Sequence, residues 1–204
     1  MATGDTDVSI VNQAILLLGS TEISSFDDGT EIAGIAEKIY PGVRDATLSM
    51  YPWSFAIAKV ALQRLSTAPT AEWRYGYQLP AELITGNVRE VRTSSNVGAA
   101  TIRGFEIVGD QLMTDETAIY VDYISRPLEA AMPPYFVKLL VYQTAWHLAE
   151  PVTDQITKAE WWRTIALGGP SDNGRGGFFR QAASIDGQGT PPKAFENFDL
   201  IDVR

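Results

Sequence analysis

Met50-Tyr51-Pro52-Trp53-Ser54-Phe55-Ala56-Ile57-Ala58 decides how this chain is read, together with Trp73-Arg74-Tyr75-Gly76-Tyr77-Gln78-Leu79-Pro80 further on. The two stretches hold two of the five tryptophans and three of the eight tyrosines. Such a density of large flat side chains marks a place where separate elements meet. A fully buried Trp53 would remove about 150–250 Å² from water, an upper limit of roughly 4–6 kcal/mol at about 25 cal/mol per Å². The stretch is therefore expected to be a joint, with Trp53, Phe55, Trp73, Tyr75 and Tyr77 at its core, and the chain should change character across it.

Before the joint the apolar period is helical. Val8, Val11, Ala14, Ile15 and Leu18 recur at three- and four-residue steps, with Asp5, Thr6 and Asp7 as candidate caps and Gly19 where a left-handed terminator belongs. A helix over roughly 7–18 follows. A second stripe runs through Ile32, Ile35, Ala36, Ile39, Val43, Ala46 and Met50. Pro41 inside it cannot donate to the carbonyl of Glu37, so a kink or a break is expected, and one helix and two helical pieces both stay open. After the joint, Trp73, Tyr75, Tyr77 and Leu79 alternate and Pro80 ends the run. Residues 88–92, 101–103, 105–108 and 118–124 are further short strand candidates, and their spacing suggests a small antiparallel sheet or barrel. Tyr120 and Tyr123 fall on opposite faces of the last strand, so at least one should lie at an interface or outer surface.

Arg126-Pro127 and Met132-Pro133-Pro134 mark the return to helix. The helix that follows is apolar over most of its circumference, which requires more than one neighbour, either other helices or a second copy of the chain. Pro151 should stop it, Thr153 or Asp154 should cap the next helix, and Ile156, Ala159, Trp162 and Ile165 should form that helix's buried stripe, ending at Gly168-Gly169-Pro170. Beyond Gly168 the period fades and glycine and proline become frequent, so this stretch should form no core of its own. Yet it holds Phe178, Phe179, Phe195 and Phe198, followed by Leu200 and Ile201. These are candidate anchors for a groove in a partner or a neighbouring subunit, with docking back on their own domain as the alternative.

The fold class expected is thus α+β. N-terminal helices (1–60) and C-terminal helices (127–167) form one bundle, an inserted small antiparallel β-sheet or barrel domain spans 61–126, and an extended C-terminal tail spans 168–204. At 204 residues and 45% hydrophobic content the chain can bury a real core. A formal net charge of −9 and a pI near 4.6 argue against a counterion-releasing grip on nucleic acid. Without cysteine there is no disulfide, thiolate nucleophile or Cys-based zinc site, and a single histidine excludes a multi-His metal cluster. The polar start at 1–7 and the brevity of the apolar run at 15–18 predict a soluble chain with no export or membrane segment.

The candidate sites are weak one by one. His147 sits between Trp146 and Leu148 on a helix expected to be packed, so a structural histidine is favoured over a general base. Asp27, Asp28 and Glu31 lack the alternating ligand pattern of a calcium loop and stand where acids stabilise a helix start. Gly168-Gly169 and Gly174-Arg175-Gly176-Gly177 lack the Lys-Ser/Thr that completes a phosphate cradle and read as linker. Trp161 and Trp162 point about a hundred degrees apart, which makes Trp161 a candidate subunit contact, with ordinary partial burial open beside it. No nucleophile with its base and no cofactor fingerprint is present, so no catalytic residue, cofactor or metal is expected.

Read as an ordered set, several motifs carry a family resemblance. They are Asn12-Gln13-Ala14 through Leu18-Gly19, then Ile23-Ser24-Ser25, Tyr40 with Arg44-Asp45, Tyr51-Pro52-Trp53-Ser54-Phe55-Ala56, and Trp73 through Pro80. Phe105-Glu106-Ile107 with Leu112, the strand at 120–124 and the helix at 136–150 continue the set. Over roughly the first 165 of its 204 residues the chain resembles the tail tubular protein A family, head-to-tail adaptors of tailed bacteriophages and gene transfer agents. It departs from that pattern at Pro41-Gly42 and at Glu82, and the stretch after Gly168 has no counterpart in it. The resemblance implies a ring, typically dodecameric, seated beneath the portal protein and joined to the next tail or nozzle component. Such a subunit assembles in the host bacterial cytoplasm and resides in the virion neck. DNA would pass through the ring without specific binding, and acidic walls suit that passage because they repel phosphate. The portal would then be the partner of Phe178, Phe179, Phe195, Phe198, Leu200 and Ile201, and Tyr120 and Trp161 would be the candidate subunit contacts. A small soluble enzyme with carboxylate chemistry and a DNA-binding accessory module are the alternatives from other classes.

Overall fold

A computed structural model describes residues 4–69, 72–86, 88–96 and 99–189. The elements in order are α1 (Asp7–Leu18), α2 (Glu31–Ser49), β1 (Ile57–Ala61), β2 (Tyr75–Gln78), β3 (Glu90–Arg92), β4 (Phe105–Val108), β5 (Gln111–Thr114), β6 (Tyr120–Ile124), α3 (Pro134–Thr153), α4 (Ile156–Leu167) and α5 (Gly177–Gln188). The α+β expectation holds: helices from both ends of the chain form one bundle around an inserted β region.

Local chemistry sets the first helix. Thr6 accepts from the Ser9 N–H through its side chain, and Gly19 at φ 79° caps the far end by donating to the carbonyls of Ile15 and Leu16. Ile10, Val11, Ala14, Ile15 and Leu18 are its buried face. Helix α2 opens on Thr30, whose side chain accepts from the Ala33 N–H. It then runs unbroken through Pro41, so the expected interruption is absent. Pro41 and Gly42 are solvent-exposed, whereas Ala36, Tyr40, Val43 and Thr47 are buried along one face across them. The missing N–H therefore falls on the wet side, where water can serve the orphaned carbonyl, and the helix continues past it.

Helix α3 is the centre of the bundle. Phe136, Val137, Leu139, Leu140, Val141, Ala145, Leu148 and Ala149 are all buried, and α1, α2, α4 and α5 each pack against it. Its broad apolar circumference is thus covered by the chain's own helices. Pro151 does not stop it: the proline is exposed, and the helix continues until Asp154 adopts a left-handed conformation at φ 52° and donates its N–H to Glu150 O. Asp154 therefore closes α3 and does not cap α4, which starts after Gln155. Ile156 likewise leaves the stripe predicted for α4, being 62% exposed, while Ala166 and Leu167 are buried and Ala159, Trp162 and Ile165 half-buried.

The inserted region is two sheets, not a single sheet or a closed barrel. One has the order β1-β6-β3 and the other β2-β5-β4, all neighbours antiparallel. β4 and β5 form a two-residue hairpin whose first turn position is Gly109 at φ 63°, where a II′ turn requires glycine. Val91, Val121 and Tyr123 from the first sheet, Tyr77 and Leu112 from the second, and the connecting Leu79 and Ile119 make a small core of their own. Ile124, the last residue of β6, belongs instead to the bundle core and carries the sheet into it. Of the predicted strands, 101–103 contributes only an isolated bridge from Thr101 to Arg92.

The stretch after Gly168 differs most from expectation. It contains α5, whose Phe179, Ala182 and Asp186 are buried against the bundle, so it is not an extended tail as far as Gln188. The glycines taken for linker form the tight corner that turns α4 into α5. A β-carbon on Gly168, at φ 84°, would lie 2.4 Å from Asp172 Oδ2, and one on Gly177, at φ 51°, would lie 2.5 Å from Ile165 O. Only glycine fits either position.

Candidate functional site

The aromatic joint is built around Trp53. Trp53 is completely buried, with ring centroids 5.0 Å from Tyr51, 5.1 Å from Phe136, 5.9 Å from Phe179 and 6.3 Å from Phe55. The partners at 5.0, 5.1 and 5.9 Å meet it edge to face, the arrangement favoured by aromatic quadrupoles. Its indole N–H donates to Thr47 O at 3.1 Å, which satisfies the one polar group a buried tryptophan carries. Phe55 packs 4.9 Å from Phe136. Trp53 therefore belongs to the bundle core, and half-buried Phe55 packs against it.

The other three joint residues lie elsewhere. Tyr77 is buried between the sheets with its hydroxyl donating to Glu116 O at 2.7 Å. Tyr75 is half-buried beside it, with the Arg64 guanidinium 4.9 Å from its ring centre. Trp73 is half-buried before β2, its N–H donating to Glu106 Oε2 at 3.1 Å. The predicted single joint is two cores, one aromatic cluster in the bundle and another between the sheets.

Asp186 on α5 completes the bundle cluster, and sequence reading missed it. Its carboxylate accepts from the Ser54 N–H at 3.0 Å, the Ser54 hydroxyl at 2.7 Å and the Tyr135 hydroxyl at 2.5 Å, while the residue is 5% exposed. Three donors from two distant segments converge on one buried acid, as burial of a charge requires. Burial and the hydrogen bond to Asp186 push the Tyr135 phenol well above its ordinary pKa. The spacing Phe179, Ala182, Asp186 is one helical face, a signal present in the sequence but masked because only one member is a large apolar residue.

Phe179, proposed as a partner-docking anchor, is 5% exposed and spent on its own core. Phe178 is half-buried, its ring 5.5 Å from Tyr142 and beneath the Lys138 ammonium at 5.3 Å. Both dock in cis because α5 exists. Phe195, Phe198, Leu200 and Ile201 lie outside the described residues.

Of the candidate subunit contacts, Trp161 is 65% exposed and its neighbour Trp162 stacks on Tyr142 at 5.6 Å, so the pair divides as predicted. Tyr120 is half-buried and Tyr123 is buried between the sheets. Around Tyr120 lies a hollow whose wall mixes Val60 and Val121 with Lys59, Arg92, Ser94 and Asp122, where Arg92 and Lys59 both pair with the Asp122 carboxylate. His147 is exposed on α3 beside Trp146, outside the packed face expected for it. Asp28 accepts from the Thr30 N–H and hydroxyl and from the Ser24 N–H, which holds its carboxyl below the usual range and accounts for it as a turn residue before α2. Among the described residues no group of three or more acidic or histidine side chains could hold a metal ion, and no helix is long and apolar enough to cross a membrane.

Comparison with known proteins gives no family for this chain: no family model matches it, and no curated protein matches it significantly.

Proposed function

We propose that the chain is a non-enzymatic adaptor subunit of a tailed-phage neck, forming a ring between the portal protein and the next tail component through which DNA passes. The single observation that carries the reading is the outer surface of α4. In twelve residues this helix leaves both Ile156 and Trp161 more than 60% exposed, at 62% and 65%. Tryptophan so placed is an expensive exposure for a lone subunit and is typical of interface hot spots. A ring closes by a heterologous contact, in which one face of each subunit meets a different face of the next. The ordered motif resemblance and the acidic balance of the chain support the same assignment.

Native mass spectrometry and negative-stain microscopy of the purified protein, alone and with virion necks, test it. Closed rings are expected, and Trp161→Asp should dissociate them while leaving the helical content of the subunit unchanged. A protein that stays monomeric at every concentration and is missing from purified particles refutes the reading.

A further inference from the structure

A groove of about 530 Å³ runs between α1 and α3 on the outside of the bundle. Leu16 and Leu17 form one wall, at 54% and 41% exposure, and Pro134, Val137, Val141 and Tyr142 form the floor and the other wall. Lys138 stands at its side, and Asp5 at its end is engaged by the Ser9 hydroxyl at 2.8 Å. Two adjacent leucines left open beside a concave apolar floor are unusual on the α1 surface, whose other face is well covered.

The place where α5 ends says what covers the groove. Helix α5 runs antiparallel along α3: Phe178, near its start, touches Tyr142, and Asp186, near its end, accepts from Tyr135. The chain therefore leaves α5 beside Tyr135, next to Pro134 at the mouth of the groove. Fifteen residues follow Gly189, and their sequence places Phe195, Phe198, Leu200, Ile201 and Val203 among the acids Glu196, Asp199 and Asp202. The six residues from Gly189 to Phe195 span up to about 20 Å, and the groove floor from Pro134 to Tyr142 is about 12 Å of helix. Reach and exit point match, and the interleaved acids would meet the Lys138 ammonium. A tether this short gives the segment an effective concentration on the order of millimolar at the groove.

We propose that the apolar C-terminal segment from Phe195 to Val203 docks in cis in the α1/α3 groove of its own subunit, covering Leu16 and Leu17. The docking stands whether or not the chain forms a ring.

The chain has no native cysteine, so thiol probes report cleanly. Leu17→Cys in the full-length protein, kept dilute enough to be monomeric, should react with a maleimide at least about threefold slower than the same cysteine in a chain that also carries Phe195→Asp, Phe198→Asp and Ile201→Asp. That ratio corresponds to occupancy of roughly two thirds or more. Oxidation of a Leu17→Cys/Phe198→Cys protein should give a disulfide within one chain, seen by non-reducing electrophoresis and peptide mass mapping. Equal reaction rates in the two backgrounds overturn the proposal. A disulfide found only between chains overturns it in favour of a second copy as occupant. Because both measurements use the dilute monomer, their failure leaves the ring reading untouched, and absence of rings leaves this docking untouched.

Discussion

Replacing Trp53 by alanine is the sharpest test of how the bundle is held together. The side chain is wholly buried among Tyr51, Phe55, Tyr135, Phe136 and Phe179, so truncation leaves a cavity walled by five rings from three separate parts of the chain. Rings held at their edges by a backbone on every side cannot collapse into that space. Truncation of a large aromatic in such a setting costs about 3–5 kcal/mol, and Thr47 O loses the indole donor as well. For a chain of this length about 4 kcal/mol lowers the melting temperature by roughly 8–16 °C. Far-UV circular dichroism is the right assay, because it does not depend on the tryptophan being removed. Trp53→Phe serves as the internal comparison: it keeps most of the ring contacts and loses the hydrogen bond, so it should cost about 1–2 kcal/mol. If Trp53→Ala melts within about 1 kcal/mol of the parent while assembly is lost, the tryptophan acts at an interface and the packing argument is wrong.

Asp186→Ala should leave the Ser54 N–H, the Ser54 hydroxyl and the half-buried Tyr135 hydroxyl without their shared acceptor and loosen α5, costing about 1–3 kcal/mol in denaturant titrations, with faster amide exchange confined to 177–188. Gly168→Ala should destabilise by more than about 1 kcal/mol, since its β-carbon would strike Asp172 and the Gly176 backbone. Gly42→Ala, in an exposed turn of α2 with open space around the new methyl, should instead stabilise by about 0.5–1 kcal/mol; both are read as melting temperatures. Burial raises the Asp45 carboxyl, but hydrogen bonds from Arg126 and Arg44 outweigh it and hold the group below its ordinary value. A depressed folded pKa contributes stability that is present above the unfolded value, near 3.9, and is lost as the pH falls through the folded one. Melting curves from pH 6 to pH 2 should therefore fall less steeply below about pH 4 for Asp45→Asn than for the parent, and parallel curves would refute the assignment.

What the sequence reveals follows from how local each determinant is. Helix α1 is legible to the residue because a threonine cap and a left-handed glycine act within one turn of its ends. Pro41 and Pro151 mislead because their effect depends on which way the missing N–H faces, and in both cases it faces water. β1 escapes notice since Ile57 to Ala61 has no clean alternation: it is an edge strand, exposed over its last three residues and specified by pairing with β6. β5 is short and gains its register from the Gly109-Asp110 hairpin. Helix α5 is hidden because its buried face is built from one phenylalanine, one alanine and one aspartate, and the aspartate is favourable there only because Ser54 and Tyr135 wait for it. Trp161 is legible as an outlier, since two adjacent tryptophans cannot share one helix face.

The bond between Ser54 and Asp186 joins residues 132 positions apart. During synthesis the joint around Trp53 therefore stays open until Asp186 has been made, and among the described helices α5 is the one that closes it. At about 5–20 residues per second, several seconds pass in which Tyr51, Trp53 and Phe55 have no lid. A message cut short between α4 and α5 would release a chain with the other four described helices but without Phe179 against Trp53. Such a product exposes aromatic surface that the folded chain covers, which makes it a natural substrate for chaperones and proteases.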